Sequence, residues 1–342
     1  MNRQYNKEKI DIVITWVDGS DPEWQKQKLK YLRDEAALDT IGYDKSKYRD
    51  LGNLKYLFRG IEQFAPWVNR VHIVTSGHLP EWLNVENPLL NIVKHSDYIP
   101  KEYLPTFSSH PIEINLHRIN EMAEQFIYFN DDTFILKPLK KTDFFKNGLP
   151  CDQIQYQLTT SKDANDIFPH IVFNDLATIN KNFNKRDVEK KYPSKYFSFH
   201  YSLKSNIRNA LFLPYRFFPG YFWAHLPSAY LKSTFRDAWN KESALLCQTS
   251  SNKFRNIKDI NQYLFKAWQF SSGNFYPKNI KKFGKYFNLS EQINEANIAI
   301  RKQLYPLICL NDTGMIDNIE TVKKDLIASF EKVLPNKSNY EL

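Results

Sequence analysis

Two adjacent carboxylates, Asp131 and Asp132, follow an apolar and aromatic run in the stretch IYFNDDTF. The run predicts a buried strand that ends at Asn130. In α/β folds, catalytic and ligand-binding groups gather where parallel strands end at their carboxyl edge. Neighbouring carboxylates repel each other there unless a hydrogen-bond donor or a cation neutralises them. Hard divalent cations such as Mg²⁺ and Mn²⁺ suit this role, and an ordinary turn is the alternative, because Asn and Asp commonly begin loops.

Two further aspartates could take part in the same chemistry. Asp312 follows an apolar run and Asn311, which repeats the Asn-Asp pattern after the first run. Asp11 lies inside the β-branched run IDIVITWV, where a buried carboxylate needs a network of donors or a metal ion. A solvent-facing residue at the start of a strand would explain Asp11 equally well.

Five basic side chains are candidates for anion binding or proton transfer. Arg49 and Arg59 lie on the polar side of a predicted helix and could reach a phosphate, although solvated charges are commoner. His225 ends the aromatic stretch FFPGYFWAH, where a lone histidine is more often a packed core residue. Arg255, taken alone, indicates only a surface charge. His110 precedes a predicted helix and could face the strand ends.

Apolar periodicity predicts an alternation of strands and helices. Strands are predicted at residues 10–17, 70–75, 91–94, 126–129 and 304–310, and helices at residues 23–37, 48–65, 111–126 and 318–333. This order favours an α/β fold with a Rossmann-like or GT-A-like, mainly parallel sheet flanked by helices.

Periodicity weakens between residues 136 and 222, where aromatic residues alternate with basic ones. We predict that this segment is an insertion subdomain lying over the sheet edge. Residues 1–135 would then form an N-terminal α/β part, and residues 223–342 a C-terminal part that completes the core.

Composition limits the classes of protein to which this chain can belong. The 342 residues suffice for one large domain or two ordinary ones, and 42% apolar and 15% aromatic residues can bury a core. No apolar run predicts a transmembrane helix, and residues 1–9 show no signal-peptide pattern. The cysteines Cys151, Cys247 and Cys309 fit neither a disulfide framework nor a zinc site, which suggests a reducing cytoplasm. The net charge of +9 suits a polyanion, an anionic membrane surface or a nucleotide-bearing substrate, while no signature of nucleic-acid binding is present.

Four segments resemble, in order, the conserved blocks of the Stealth family. They are IDIVITWVDGSDPEW, then YRDLGNLKYLFRGIEQFAPWVNRVHIVTSGHLPEWLN through LPTFSSHPIEINLHRI to FIYFNDDTF, then WAHLPSAYL with NKFRNIKDI, and finally PLICLND. The family comprises bacterial capsule and exopolysaccharide hexose-1-phosphate transferases and the animal N-acetylglucosamine-1-phosphotransferase of lysosomal enzyme tagging. The chain lacks the long insertions and membrane anchors of the animal enzymes and so resembles a bacterial member.

The resemblance implies a phosphotransferase. Such an enzyme moves sugar-1-phosphate, carrying a hexose or N-acetylhexosamine, from a UDP-sugar to a hydroxyl of a growing capsular, cell-wall or exopolysaccharide glycan, and releases UMP. It implies functional residues at Asp11, at Asp131 or Asp132, and at His225, Arg255 and Asp312. His225 and Arg255 become site candidates on this ground alone. Asp18 stands where some members carry asparagine, so it receives no catalytic role.

Roles follow from the chemistry of each side chain. We expect Asp131, Asp132 and Asp312, with Asp11 as a further candidate, to hold Mg²⁺ or Mn²⁺ on the diphosphate. Arg255 would clamp a phosphate, and His225 would act as the general base, with Asp131 as its rival. The residues expected to bind the donor are Thr15, Trp16, Asp18, Gly19, Arg49, Arg59, Ser76, Gly77 and Arg255.

Two other functions compete with this reading. A metal-dependent GT-A-type glycosyltransferase would use the same donor and release UDP, and a non-catalytic module would bind polyanions or membranes through the basic and aromatic stretches. For the transferase we expect residues 1–135 to bind the nucleotide sugar, and the insertion to lie on the acceptor side. The basic charge also suggests peripheral contact with the inner face of the membrane, where a lipid-linked acceptor would be met.

Overall fold

The computed structural model describes residues 9–34, 49–161 and 163–342. Its strands are β1 Ile10–Thr15, β2 Val71–Thr75, β3 Leu90–Lys94, β4 Gln125–Asn130, β5 Thr133–Ile135, β6 Phe145–Lys146, β7 Leu149–Asp152, β8 Ser228–Leu231, β9 Tyr276–Pro277, β10 Gly284–Asn288 and β11 Leu307–Asn311. Its α-helices are α1 Pro22–Asp34, α2 Leu54–Phe64, α3 His95–Tyr98, α4 Ser109–Ile114, α5 Lys141–Phe144, α6 Ile167–Asn182, α7 Lys185–Lys191, α8 Pro193–Tyr196, α9 Leu203–Leu211, α10 Lys232–Ser251, α11 Tyr263–Ser272, α12 Leu289–Arg301 and α13 Ile319–Glu331. Within the described ranges, short 3₁₀ helices lie at Lys101–Tyr103 and Leu116–Arg118.

The main sheet has five strands in the order β3-β2-β1-β4-β8. Strands β1 to β4 are parallel to one another in this sheet, whereas β8 is antiparallel to β4. The central pair β1 and β4 runs in register from Ile10 opposite Gln125 to Thr15 opposite Asn130. The predicted α/β fold with a mainly parallel sheet is therefore confirmed, and the parallel strands end at one common edge.

Helices cover both faces of this sheet. Ile12 and Ile127 belong to the core that includes α2, α12 and α13, whereas Val13 and Tyr128 belong to the core that includes α6, α10 and α11. Successive side chains on a strand point to opposite faces, so each strand contributes to two cores. This explains the continuous apolar runs in the sequence, which are typical of parallel strands buried on both faces.

A second, three-stranded sheet has the order β10-β11-β5. Strand β11 is parallel to β10 and antiparallel to β5. Asp131 and Asp132 form the two-residue link between β4 of the main sheet and β5 of the second sheet. Strand β11 begins three residues later than predicted, at Leu307, because Pro306 has no N–H to donate and precedes it.

The helix predicted at residues 48–65 begins only at Leu54 and ends at Phe64. Gly52 has a φ of +69°, a left-handed conformation that cannot belong to an α-helix. Tyr48, the predicted start, lies outside the described residues. The helix predicted at 23–37 is α1, and its last predicted residues, 35–37, also lie outside them.

The prediction of a single helix at residues 111–126 is wrong. Helix α4 ends at Ile114, a 3₁₀ turn follows, and β4 begins at Gln125. The side chain of Asn115 donates to the carbonyl of Pro111 at 2.9 Å, so it takes the acceptor that the backbone of Asn115 would use in a continuing helix. The remaining predicted strands and the last helix are confirmed with small shifts of their ends.

Residues 136–222 contain four consecutive helices, α6 to α9, after the short strands β6 and β7. Strand β7 pairs in parallel with β9, so this segment is joined by backbone hydrogen bonds to the C-terminal third of the chain. The division into three parts at residues 135 and 222 stays a prediction. Within the described ranges, no helix is long and apolar enough to cross a membrane.

Arg59 on α2 holds the C-terminal segment in place. Its guanidinium donates to both carboxylate oxygens of Glu341, at 2.9 and 2.8 Å, and to the carbonyl of Leu334 at 2.7 Å. Both side chains of the ion pair are almost fully buried. A bidentate pair of this kind is geometrically specific, and losing one partner would leave the other charge buried without compensation.

Replacement of this arginine should destabilise the fold. We expect Arg59→Met to lower the free energy of unfolding by about 3–5 kcal/mol, measured by urea denaturation. The matched control is Lys55→Met on the same helix. Lys55 is more exposed and its nitrogen lies 3.8 Å from Glu331, so its loss should cost about 1 kcal/mol or less. Equal midpoints for Arg59→Met and the unsubstituted chain would contradict this reading of the ion pair.

Candidate active site

A cleft of about 530 Å³ lies at the carboxyl edge of β1 and β4. Its walls come from the residues that follow β1, β4 and β11, from the start of α4, and from the loop before α11. The predicted site residues that line it are Thr15, Trp16, Arg49, Asp131, Asp132, His225, Arg255 and Asp312. Residues that are far apart in the sequence thus meet in one cavity, as the positions of the strand ends predict.

The backbone fixes Asp131 and Asp132 on both sides. Asn130 pairs with Thr15 at the end of the main sheet, and the carbonyl of Asp132 accepts a hydrogen bond of 2.8 Å from the N–H of Leu310 in β11. Strand pairing in both sheets therefore fixes the backbone of this link and keeps both side chains at the cleft.

This confinement changes the acidity of Asp131. Desolvation at the cleft, followed by the charges of Asp132 and Asp50, raises the pKa of Asp131 to about 7. The side chain of Asp131 itself remains accessible to solvent. A bound cation would compensate the like charges and so remove their contribution to the raised pKa. An acid with a pKa near neutrality is also suited to proton transfer.

His225 lies beside the second carboxylate. Its Nε2 atom is 3.6 Å from Oδ2 of Asp132 and 3.3 Å from the side-chain nitrogen of Asn130, and the ring of Tyr286 packs edge-on against it. Burial lowers the pKa of His225, but the hydrogen bond and charge of Asp132 outweigh this effect and raise it above its ordinary value. Asp132 therefore stabilises the imidazolium that would form if His225 accepted a proton.

Asp132, His225 and Cys309 have ligand atoms that lie within 4.8 Å of one another. The Oδ2 atom of Asp132 accepts from the thiol of Cys309 at 3.3 Å, whereas its Oδ1 atom is buried with no hydrogen-bond partner. Burial raises the pKa of Cys309 well above its ordinary value, which favours the neutral thiol over a metal-binding thiolate. The unpartnered oxygen of Asp132, beside a second carboxylate, fits a hard cation.

Asp312 lines the same cleft but has other partners. Its Oδ2 atom accepts from Arg49 at 3.0 Å, and its Oδ1 atom accepts from the N–H of Gly314 at 2.7 Å. The structure thus brings two predicted residues, Arg49 and Asp312, together as an ion pair.

Arg255 is held at the cleft by a network that the sequence did not reveal. Its guanidinium donates to Ser109 at 3.3 Å. The fully buried Asp259 accepts from the backbone of Asn256 at 2.9 Å and lies 2.8 Å from Nδ1 of His110, which also lines the cleft. Asp259 therefore joins the loop of Arg255 to the start of α4. His110 lines the cleft, as expected, but nothing in the sequence pattern pairs it with Asp259.

The donor-binding residues expected after β1 and β2 are divided between the cleft and its surroundings. The hydroxyls of Thr15 and Tyr128 lie 3.0 Å apart on the cleft wall, and the ring of Trp16 packs edge-on against His78. His78 also accepts from the N–H of Asp18 at 2.6 Å and lies 3.1 Å from the hydroxyl of Ser76. Asp18, Gly19, Ser76 and Gly77 thus belong to the loops at the same sheet edge and do not line the cleft itself.

The structure does not bring Asp11 to the cleft. Asp11 is fully buried in the first half of β1, about 13 Å of strand before its end. Its carboxylate accepts from His72 at 2.9 Å, from Asn69 at 2.7 Å and from the backbone of Ala123 at 2.8 Å. Burial raises the pKa of Asp11, and these bonds outweigh burial and lower it. Arg59, in its pair with Glu341, is also outside the cleft.

Comparison with known proteins gives consistent matches. Residues 8–36 match the description "Stealth protein CR1, conserved region 1", and residues 47–152 match "Stealth protein CR2, conserved region 2". The chain is 40% identical over 336 residues to the capsular polysaccharide phosphotransferase WcwK of Streptococcus pneumoniae, covering 98% of this chain and 99% of WcwK. It is 33% identical to the exopolysaccharide phosphotransferase cps2G of Lactiplantibacillus plantarum, covering 97% of this chain and 96% of that protein.

Among solved structures, the chain overlaps with the galactosyltransferase LgtC in complex with donor and acceptor sugar analogues. The overlap covers 93% of this chain and 95% of LgtC, with 10% sequence identity and a TM-score of 0.39.

Removal of the neighbouring charge should change the acidity of Asp131. We expect Asp132→Asn to lower the pKa of Asp131 from about 7 towards its ordinary value, and to lower the pKa of His225 as well, because both depend on the charge of Asp132. Asp50→Asn should lower the pKa of Asp131 less. NMR titration of ¹³C-labelled aspartate and histidine side chains measures each value. Asp312→Asn is the control, since Arg49 already pairs with that carboxylate, and an Asp131 that titrates normally in the unsubstituted chain would contradict the described electrostatics.

Proposed function

The chain belongs to the Stealth family, and from this premise we propose that it is a polysaccharide phosphotransferase. In this proposal it transfers a hexose- or N-acetylhexosamine-1-phosphate from a UDP-sugar to a hydroxyl of a capsular, cell-wall or exopolysaccharide glycan. Its full-length similarity to WcwK and cps2G supports the general activity. The observation that supports the chemistry best is that a carboxylate pair, a histidine and two arginines share one cleft.

The proposed reaction forms one bond and breaks one. The acceptor oxygen attacks the phosphorus that bears the sugar, the bond from this phosphorus to the bridging oxygen breaks, and UMP leaves with that oxygen. The acceptor proton passes to a base in the cleft. Phosphoryl transfer depends mainly on positioning and on stabilising charge at the phosphate oxygens, which the arginines of this cleft are suited to do.

Asp131 and Asp132 are the residues we propose to hold Mg²⁺ or Mn²⁺. The unpartnered Oδ1 atom of Asp132 and the like-charge effect on the pKa of Asp131 support this assignment. When bound, such a cation neutralises charge on a diphosphate and so favours departure of the nucleotide. Asp312 would join these ligands only by releasing Arg49, which would then be available to a phosphate.

Arg255 is the proposed clamp for a phosphate of the donor. Its planar guanidinium can donate to two oxygens at once, and its contact with Ser109 is long enough to be exchanged for a charged acceptor. Asp259 and His110 hold the loop that carries it, so we assign them a positioning role.

His225 is the proposed general base, and Asp131 is its rival. The proton from the acceptor hydroxyl would pass to Nε2 of His225, and the charge of Asp132 would stabilise the imidazolium formed. Because the pKa of His225 is raised, the neutral form required of a base is lost at a higher pH than for an ordinary histidine.

We also propose that the protein works in the cytoplasm and contacts the inner face of the membrane, where its acceptor would be lipid-linked. The positive net charge and the free cysteines are consistent with that setting.

Product analysis tests the proposed reaction. With a panel of UDP-sugars, Mg²⁺ or Mn²⁺ and glycan acceptors, we expect UMP and a new phosphodiester signal in the phosphorus NMR spectrum. Chelation of the metal should stop the reaction, and re-addition should restore it. Release of UDP with a new glycosidic bond would replace the proposal with the glycosyltransferase alternative, and chelator-insensitive turnover would remove the assigned metal site.

Replacement of the proposed base should affect turnover and leave donor binding intact. We expect His225→Ala to lower kcat by about 10²- to 10⁴-fold, with little change in the Kd for the UDP-sugar. In the unsubstituted enzyme, kcat should fall as pH falls, because protonation of His225 removes the base, and this limb should be absent in the variant.

The matched control is His170→Ala, since His170 is exposed and contacts the carbonyl of Ala164 outside the cleft. It should retain the activity and the pH profile of the unsubstituted enzyme. Loss of donor binding in His225→Ala, with normal turnover of bound donor, would show that His225 binds the donor and that the base is elsewhere.

A further inference from the structure

Helix α9 presents its apolar side to the outside of the protein. Leu203, Ile207 and Leu211 are 75%, 53% and 69% exposed, and their spacing of four residues places them on one stripe. The buried residues of the same helix are the polar Ser205 and Asn209. A helix on the surface of a globular protein normally buries its apolar stripe, so α9 has the opposite orientation.

Hydrogen bonds fix this orientation. Asn209 accepts from the backbone of Tyr156 at 2.9 Å and donates to the carbonyl of Ile154 at 3.1 Å. Ser205 lies between the side chains of Gln153 and Gln155, at 2.8 and 3.0 Å. If α9 rotated to bury its leucines, these buried polar groups would lose their partners, at a cost of about 1–3 kcal/mol each.

Exposed aromatic side chains also flank the helix in the sequence. Phe199 before it is 104% exposed, and Phe217 after it is 58% exposed. Of the nineteen large apolar side chains that are exposed in the described ranges, seven lie between residues 199 and 217. Such a concentration is typical of a site of interaction with a protein or a membrane.

Positive charge surrounds this surface. Residues 190–236 contain no aspartate or glutamate. Helix α9 exposes Lys204 and Arg208 next to its apolar stripe. Burial, followed by the charges of Arg208 and Lys204, lowers the pKa of Lys281.

We infer that α9 with Phe199 and Phe217, which we call the interfacial surface, binds an anionic lipid bilayer. A bilayer offers both partners that this surface needs, since acyl chains accept the apolar stripe and acidic head groups accept the flanking cations. A second copy of the chain would bring two basic borders together, which like-charge repulsion opposes. A soluble polyanion would leave the apolar stripe exposed to water.

The interfacial surface is connected to the cleft by a short and well-packed segment. His225 lies eight positions after Phe217, a span of at most about 29 Å. Within it, Gly220 has a φ of +120° and lies against the carbonyl of Gln157, where no larger residue fits. The ring of Trp223 stacks on Tyr263, a residue of the cleft wall. Binding through α9 would therefore hold the cleft close to the bilayer. This inference locates the membrane contact proposed above, and its biological role rests on that proposed function.

Vesicle binding tests this inference without any catalytic step. We expect the full-length protein to co-sediment with vesicles of two parts phosphatidylcholine to one part phosphatidylglycerol, and to bind pure phosphatidylcholine vesicles much more weakly. Ile207→Ser/Leu211→Ser should reduce partitioning by at least about tenfold, because two apolar side chains are lost from the contact. Lys204→Gln/Arg208→Gln should also reduce it by about tenfold, through the lost attraction to acidic head groups.

The matched control is Ile298→Ser/Leu304→Ser, which removes one exposed isoleucine and one exposed leucine elsewhere and should bind vesicles normally. UMP formation with a water-soluble acceptor should be unchanged in all three variants, which separates vesicle binding from the proposed reaction. Failure of the unsubstituted protein to bind acidic vesicles would overturn the inference. It would also be overturned if Ile207→Ser/Leu211→Ser bound them normally, or if the variants lost affinity for a soluble acidic polysaccharide instead.

Discussion

The repulsion between Asp131 and Asp132 is the constraint on which the site depends. These residues form the link between two sheets, and strand pairing on both sides fixes the backbone of the link. The fold therefore maintains a local concentration of negative charge that must be compensated by a proton or a cation. Desolvation, followed by the charges of Asp132 and Asp50, raises the pKa of Asp131, which favours a bound proton. A divalent cation is the compensation that a diphosphate substrate would bring or require.

The other charged groups of the cleft are arranged around this concentration. His225 draws its raised pKa from Asp132, and Arg49 already compensates Asp312. Arg255 has only a hydroxyl as its described hydrogen-bond partner, so its charge remains available to an anion. A site with acidic residues on one side and an available arginine on the other can bind a cation and a diphosphate together, which neither set of residues would do alone.

Local patterns predicted the strands and the carboxylate pair because these depend on short stretches of chain. An apolar run followed by Asn-Asp-Asp locates both the strand and its functional end. The ion pair of Arg59 with Glu341 and the pair of His110 with Asp259 join residues more than 140 positions apart, and no periodicity in one sequence reports such contacts. Asp11 was ambiguous for a related reason, since its partners His72 and Asn69 lie on another part of the fold. The prediction of one helix at residues 111–126 is wrong because of a single side chain. The hydrogen bond from Asn115 to the carbonyl of Pro111 competes with the hydrogen bonding of the helix backbone.

Helix α9 differs from all of these cases because its sequence alone gives a misleading answer. Leucine and isoleucine at intervals of four residues normally indicate a buried face, yet here Ser205 and Asn209 are buried instead. The exposed stripe leaves apolar surface in water, which costs the isolated chain free energy, and the hydrogen bonds of Ser205 and Asn209 offset that cost. The two polar side chains that α9 buries, Ser205 and Asn209, are both hydrogen-bonded, so the broken pattern is better explained by a binding surface than by imperfect folding. The same reasoning applies to the carboxylate pair, whose like charges also cost the isolated chain free energy, so in both places an unfavourable feature of the fold is suited to binding.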